Sequence, residues 1–425
     1  MIWLLSIIII INNIYFIVMS TTTTSALQER RRAWKTPFTE VMGIRLPLLS
    51  APMAGVSGGL LAAEVTRAGG LGMIAAGHLR NLADLEAQIE IFAENTTANA
   101  KAKAMGDNNN NRSSSPPPPS PTSDLAIGFI GFSSLATPTG WEDYEYILRK
   151  YRPKAVQFFA PFLVERRCGG TSTDNVQLAR MHGSKFIAQV GSMSDARLAM
   201  EHGMVDVIVC QGSEAGGHGL RRELGNSAMA LASQAKRMTM TTTASSSSSS
   251  DNNIIIPVLA SGGVANGRHL ASALCYCDGV SIGTRYWACR ESIGDGMLQR
   301  RLVEDAYTSC DGVLRTGVFD AIQDETSSDV RWPYPYDSVG CMRNETTEEW
   351  DGRSSSELRR AMDETDLLER YGKCKLISDA SVVQVLSGEG VGEIDRIEGA
   401  YEITLRMEQE AIDAIDRLRS LHVNC

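Results

Sequence analysis

Eight short apolar runs at near-regular spacing constrain this fold more than any other feature of the sequence. They begin at Leu46 (LPLLSA), Gly72 (GMIAA), Leu125 (LAIGFI), Ala155 (AVQFF), Lys185 (KFIAQV), Val205 (VDVIVC), Ile255 (IIPVLA) and Gly279 (GVSIG). Amphipathic segments such as SGGLLAAEVTRAGG and SDARLAMEHG separate them. Two polar low-complexity stretches, 95–123 and 233–253, lengthen two of the intervals and read as flexible insertions, because their composition cannot supply a core. With these set aside, successive runs start 20 to 30 residues apart, the length of one strand plus one crossover helix. Unbroken apolar strands are what a parallel sheet covered on both faces requires. Eight such units predict an α/β protein, a (β/α)8 TIM barrel in preference to a six-stranded open sheet. Both insertions precede a strand, which assigns them to the face opposite the carboxyl-end loops where barrel active sites lie.

This reading divides the chain into an apolar amino-terminal run (1–18), a barrel over 36–290 that includes both insertions, and a carboxyl-terminal helical and irregular cap over 291–425. Residues 2–18 are about long enough to span a bilayer, and Arg30, Arg31, Arg32 and Lys35 follow them. A membrane anchor, a cleaved signal and a mis-assigned start upstream of Met19 all remain open. The expected location of the barrel is cytoplasmic, with membrane contact only through residues 2–18. A net charge of −9, from 41 basic and 50 acidic side chains, argues against a broad nucleic-acid surface. Nine cysteines without a C-x-x-C pair or a Cys/His cluster point to reduced thiols and to no metal site.

The residues following the strands carry the chemistry. Ala51, Pro52 and Met53 follow the first run, and Gly77-His78 the second. Gln189 closes the fifth; Gln211 opens the loop QGSEAGGHG, which contains Ala215, Gly216, Gly217 and His218. Gly262-Gly263 follows the seventh run and Gly283-Thr284-Arg285 the eighth. Barrels commonly bind phosphate between these last two loops, where glycine lets backbone N–H groups approach the oxygens. Thr284 adds a hydroxyl. His218, with small neighbours on both sides, is the candidate catalytic group, since imidazole exchanges protons near neutral pH. His182, His202, His269 and His422 read as structural, His78 as a substrate-side residue, and Glu214 as a group bonding the loop backbone.

Four blocks, APMAG, QVGSMSDARLAMEHGMVDVIVCQGSEAGGHG, IPVLASGGVANGRHL and GVSIGTRYW, resemble the nitronate monooxygenase family over roughly residues 36–290, and more loosely over 387–404. The resemblance implies an FMN-dependent barrel enzyme that oxidises alkyl nitronates, propionate 3-nitronate among them, with O2 through a flavin semiquinone. It implies that Ala51, Pro52 and Met53 lie beside the flavin ring, that Gln189 and Gln211 bond its edge, and that Ala215, Gly216 and Gly217 pack near it. Gly262, Gly263, Gly283 and Thr284 would hold the FMN phosphate. His218 would take the α-proton of a neutral nitroalkane or orient an anionic nitronate. The A-G-G-H signature is shared with related FMN barrel reductases acting on enoyl-acyl carrier proteins or on quinones with NADH, so these form the alternative. The fourth run, VQFFAPF, departs from the shorter Gly-terminated turn usual in the family, which puts the substrate wall there in doubt.

Overall fold

The computed structural model describes residues 33–77, 81–106, 122–168, 171–245, 255–304, 309–326 and 331–421. Residues 2–18, His78 and His422 therefore lie outside the described residues. Thirteen strands occur among those described. Eight are parallel: β1 (Leu48–Ser50), β2 (Met73–Ala75), β3 (Ala126–Ile130), β4 (Ala155–Phe159), β7 (Lys185–Val190), β8 (Val207–Gln211), β10 (Val258–Ser261) and β11 (Gly279–Ile282). They pair in the order β1-β11-β10-β8-β7-β4-β3-β2, and a bridge between Leu49 and Leu71 joins the two ends. This is the TIM barrel expected from the spacing, and each apolar run supplies one strand. The strands are short and buried on both faces, which is why they read as unbroken apolar runs.

One end of the barrel is plugged. The helix Pro37–Met42 begins with a reciprocal cap between Thr36 and Thr39, and its Phe38 and Met42 pack among Leu49, Leu71, Met73, Ala126, Ile187 and Val209. Phe38 also lies against Gly279 at the start of β11, so the plug closes the amino-terminal end and leaves the carboxyl ends open.

The stretch 233–253 is not simply a flexible insertion. A helix runs over Ala228–Ser245 and buries Ala228, Leu231, Ala232, Ala235, Lys236 and Thr239. That spacing of three and four is a helical face, and Lys236 ends in a 2.8 Å ion pair with Asp278. Ser- and Thr-rich composition hid a barrel helix. The helix Leu82–Gly106 likewise extends into 95–123.

The carboxyl-terminal segment is also more than a cap. The helix Ala400–Leu421 packs between the helices Gly59–Ala68 and Gly267–Ala273 and occupies the eighth helical position of the barrel. Glu408 pairs with Arg45, and Tyr286 and Thr404 share a 2.6 Å hydrogen bond. Contact with Gly267 is so close that a Cβ there would lie 2.1 Å from the Met407 carbonyl oxygen. Gly267→Ala is therefore expected to lower stability by about 2 kcal/mol, read as a lower denaturation midpoint at unchanged slope.

Residues 291–399 thus form an insertion after β11. It contains β12 (Val313–Thr316) and β13 (Ser338–Met342), with its own core of Leu314, Phe319, Ile322, Val339, Trp350 and Tyr371. β13 pairs antiparallel with β12 and with β9 (Gly217–Gly219), so a strand of the barrel's own loop forms an edge of the inserted sheet. The remaining pair, β5 (Glu165–Cys168) and β6 (Thr171–Asp174), is a hairpin after β4. Among the described residues no helix is long and apolar enough to cross a membrane.

Candidate active site

A cavity of about 340 Å³ opens at the carboxyl ends of the barrel strands. The candidate catalytic and cofactor-binding residues line it: Ala51, Pro52, Met53, Gln189, Gln211, Ala215, Gly216, Gly217, His218, Gly262, Gly263, Gly283 and Thr284. The turn after β1 is fixed by Ser57, whose hydroxyl accepts from the Met53 N–H and donates to the Ala51 carbonyl. Pro52 lies over Gly128 of β3, where a Cβ would come within 2.3 Å of the proline ring.

At the ends of β10 and β11 the backbone forms a concave seat. Gly262 and Gly263 have φ of 130° and 68°, conformations that favour glycine. Among the described residues, no protein group accepts from the N–H of either glycine. The Thr284 hydroxyl oxygen accepts from the Gly388 N–H at 3.0 Å, leaving its proton free to face the cavity. Gly388 and Gly390, from the inserted segment, complete this wall. Arg285 does not contribute. Its guanidinium is buried and turned away, toward the Arg396 carbonyl and Glu398.

Along β4, β7 and β8 three glutamines form a directed relay. Gln157 Nε2 donates to Gln189 Oε1 at 2.6 Å, Gln189 Nε2 to Gln211 Oε1 at 3.0 Å, and Gln211 Nε2 to the His218 carbonyl at 2.8 Å. The relay orients the two expected amides and ties them to the histidine loop.

His218 sits on β9 with its ring toward the cavity. Its Nε2 lies 2.8 Å from Asp320 Oδ1, and the Trp332 indole stacks on the imidazole with centroids 3.7 Å apart. Trp332 also packs edge-on against Phe132 and tilts toward Phe159, which lines the cavity, so the VQFFAPF segment and the inserted segment build one aromatic wall. Glu214 accepts from the Ala228 N–H at 2.8 Å, the backbone role expected of it, and burial raises its carboxyl above the ordinary range.

The small residues around His218 serve the protein as much as a ligand. A Cβ on Gly216 would lie 2.6 Å from the Ser387 carbonyl carbon, and one on Gly219 would meet the Arg315 guanidinium. That guanidinium is buried and donates to four carbonyls: Ser213 at 3.1 Å, Ala215 at 2.7 Å, Gly217 at 3.3 Å and Ser338 at 3.1 Å. Burial lowers its pKa to about 10.

Asp320, Trp332, Arg315 and Gln157 are the residues that sequence reasoning missed. Only the Gly-rich SGEG around Gly388 carried a readable signal. His182 and His269 are engaged elsewhere, beside Glu145 and the Ala265 N–H, and His202 bonds Asp174.

A TIM barrel with a glycine-lined seat, oriented amides and a carboxylate-backed histidine at its mouth is the framework of a barrel enzyme. The sequence model of the family described as nitronate monooxygenase matches residues 132–321. A nitronate monooxygenase of Neurospora crassa is 27% identical over 379 residues, covering 88% of this chain and 91% of that protein. A Pseudomonas aeruginosa nitronate monooxygenase is 25% identical, covering 78% and 96%. These matches support the nitronate monooxygenase family, to whose members this sequence is similar over most of its length. Among solved structures, FabK from Thermotoga maritima matches with a TM-score of 0.61 at 20% identity, covering 92% of this chain and 100% of that one. The nitroalkane oxidase from Streptomyces ansochromogenes matches at 0.59 and 20% identity, covering 90% and 100%. At that identity these two likenesses speak for the fold.

Proposed function

We propose that this protein oxidises alkyl nitronates, propionate 3-nitronate among them, with O2, using FMN held in the barrel-mouth cavity. The observation that carries this reading is the presence of a glycine seat with two uncommitted N–H groups in the same cavity as an inward-facing histidine. The donor set fits a phosphorylated flavin. Gly262, Gly263, Gly283 and Thr284 would hold the phosphate, Gln189 and Gln211 the edge of the ring system, and Ala51, Pro52, Met53, Ala215, Gly216 and Gly217 its faces. When bound, the flavin supplies the electron transfer between substrate and oxygen.

The protein's own residues do the rest. His218 takes the α-proton when the substrate arrives as a neutral nitroalkane. When it arrives as the anion, a protonated His218 orients and balances it. The aromatic wall of Phe159 and Trp332 keeps water from the apolar side of the substrate.

The test is spectral and oxygen-based. Purified protein is expected to show flavin absorbance. Anaerobic alkyl nitronate should change that absorbance, and aerobic mixing should consume O2. Rapid bleaching by NADH, with nitronate leaving the spectrum unchanged, would instead assign a reductase of the related FMN barrel type.

A further inference from the structure

The hydrogen bond behind His218 fixes which of its nitrogens can act. Asp320 lies on the helix Val318–Thr326 of the inserted segment, is 8% exposed, and approaches Nε2 at 2.8 Å. Its other oxygen, Oδ2, is buried with no hydrogen-bond partner, and among the described residues the His218 imidazole is its only ion-pairing group. Asp337, a further carboxylate near His218, is held in a two-pronged pair by Arg221. Asp320 is therefore committed to the imidazole.

An ionised carboxylate only accepts hydrogen bonds, so this contact requires a proton on Nε2. In the neutral ring the lone pair then resides on Nδ1. Among the described residues no hydrogen bond is made to Nδ1, and His218 lines the cavity. The Trp332 ring, 3.7 Å away and tilted by 10°, restrains the imidazole from swinging out of this arrangement.

We propose that Asp320 is a positioning residue that holds His218 as the Nε2–H tautomer and so makes Nδ1 the proton-accepting nitrogen. The catalytic part rests on the function proposed above; the tautomer does not. With a neutral nitroalkane, the Cα–H bond breaks and its electron pair becomes the C=N bond of the nitronate. The proton goes to Nδ1, and the Asp320 carboxylate balances the imidazolium charge. No oxidation occurs in this step.

Nitrogen-15 NMR of histidine-labelled holoprotein, at a pH where the His218 ring is neutral, reads the tautomer directly. Protonated Nε2 and unprotonated Nδ1 are expected, and a protonated Nδ1 would overturn the proposal. Asp320→Asn, whose amide can donate to Nε2, should reverse or mix the tautomers. It should lower kcat/KM for a neutral nitroalkane about 10²-fold or more, and for the preformed nitronate less than about tenfold. Equal losses on both substrates with an unchanged tautomer would reduce Asp320 to a structural role. If Asp320→Asn fails to fold or to retain flavin, the measurement on unmodified protein still decides. If unmodified protein turns over neither substrate, the proposed function fails while the tautomer assignment stands or falls on its own spectrum.

Discussion

His218→Ala is expected to lower turnover of a neutral nitroalkane about 10³-fold while leaving flavin content unchanged. Positioned general bases contribute about 10²- to 10⁴-fold, and among the described residues His218 is the histidine that lines the cavity. A preformed nitronate has already lost its α-proton, so its oxidation should fall much less, chiefly through weaker orientation. The two substrates thus separate proton transfer from the electron transfer that follows. Initial rates of O2 consumption on each, with His218→Gln as a variant that keeps more of the side-chain volume beside Trp332, provide the measurement. Equal loss on both substrates would place His218 in binding and not in proton abstraction.

The largest effect on stability is expected at Arg315. Its guanidinium bridges Ser213, Ala215 and Gly217 of the histidine loop to Ser338 of β13. At a pKa of about 10 it is still charged at neutral pH, and among the described residues the nearby carboxylate of Glu214 acts on it without forming an ion pair. Arg315→Ala leaves four inward carbonyls without their donor and a cavity in place of the side chain. Each buried acceptor left unpaired costs about 1–3 kcal/mol, partly relieved by water, so a total loss of about 3–5 kcal/mol is expected. That is a large fraction of the 5–15 kcal/mol typical of a domain. Urea unfolding followed by tryptophan fluorescence reads it. Arg315→Lys should lose less but still measurably, because one ammonium cannot reach carbonyls spread along two strands. An unchanged midpoint in both variants would show that the loop is held by strand pairing alone.

What could be read from the sequence follows from what was local. The barrel strands were legible because burial on both faces leaves continuous apolar runs, and the site residues because they lie at the ends of those runs. Asp320 and Trp332 were not legible. They reach His218 through the pairing of β9 with β13, which joins positions about 120 residues apart and imposes no periodicity on either segment. Arg315 was hidden for the same reason, since its acceptors are main-chain carbonyls that any sequence supplies. The helix Ala228–Ser245 escaped because small polar residues give a weak amphipathic contrast, although Leu231, Ala232 and Ala235 mark its buried face. The helix Ala400–Leu421 was assigned to the cap because an insertion separates it from the strand it serves.

The register Val339 with His218 has a mechanical consequence. Gly262, Gly263 and Gly283 follow directly on barrel strands, whereas the imidazole is carried on a strand paired with the inserted sheet. Lifting that sheet from the mouth would withdraw imidazole, carboxylate and indole as one body and leave the glycine seat in place. Under the proposed function, closing the mouth and setting the imidazole in place would thus be a single event. Within the inserted segment, the helix carrying Asp320 bears on the imidazole whereas Gly388 bonds Thr284 on the glycine side, so changes at the two places have separable effects.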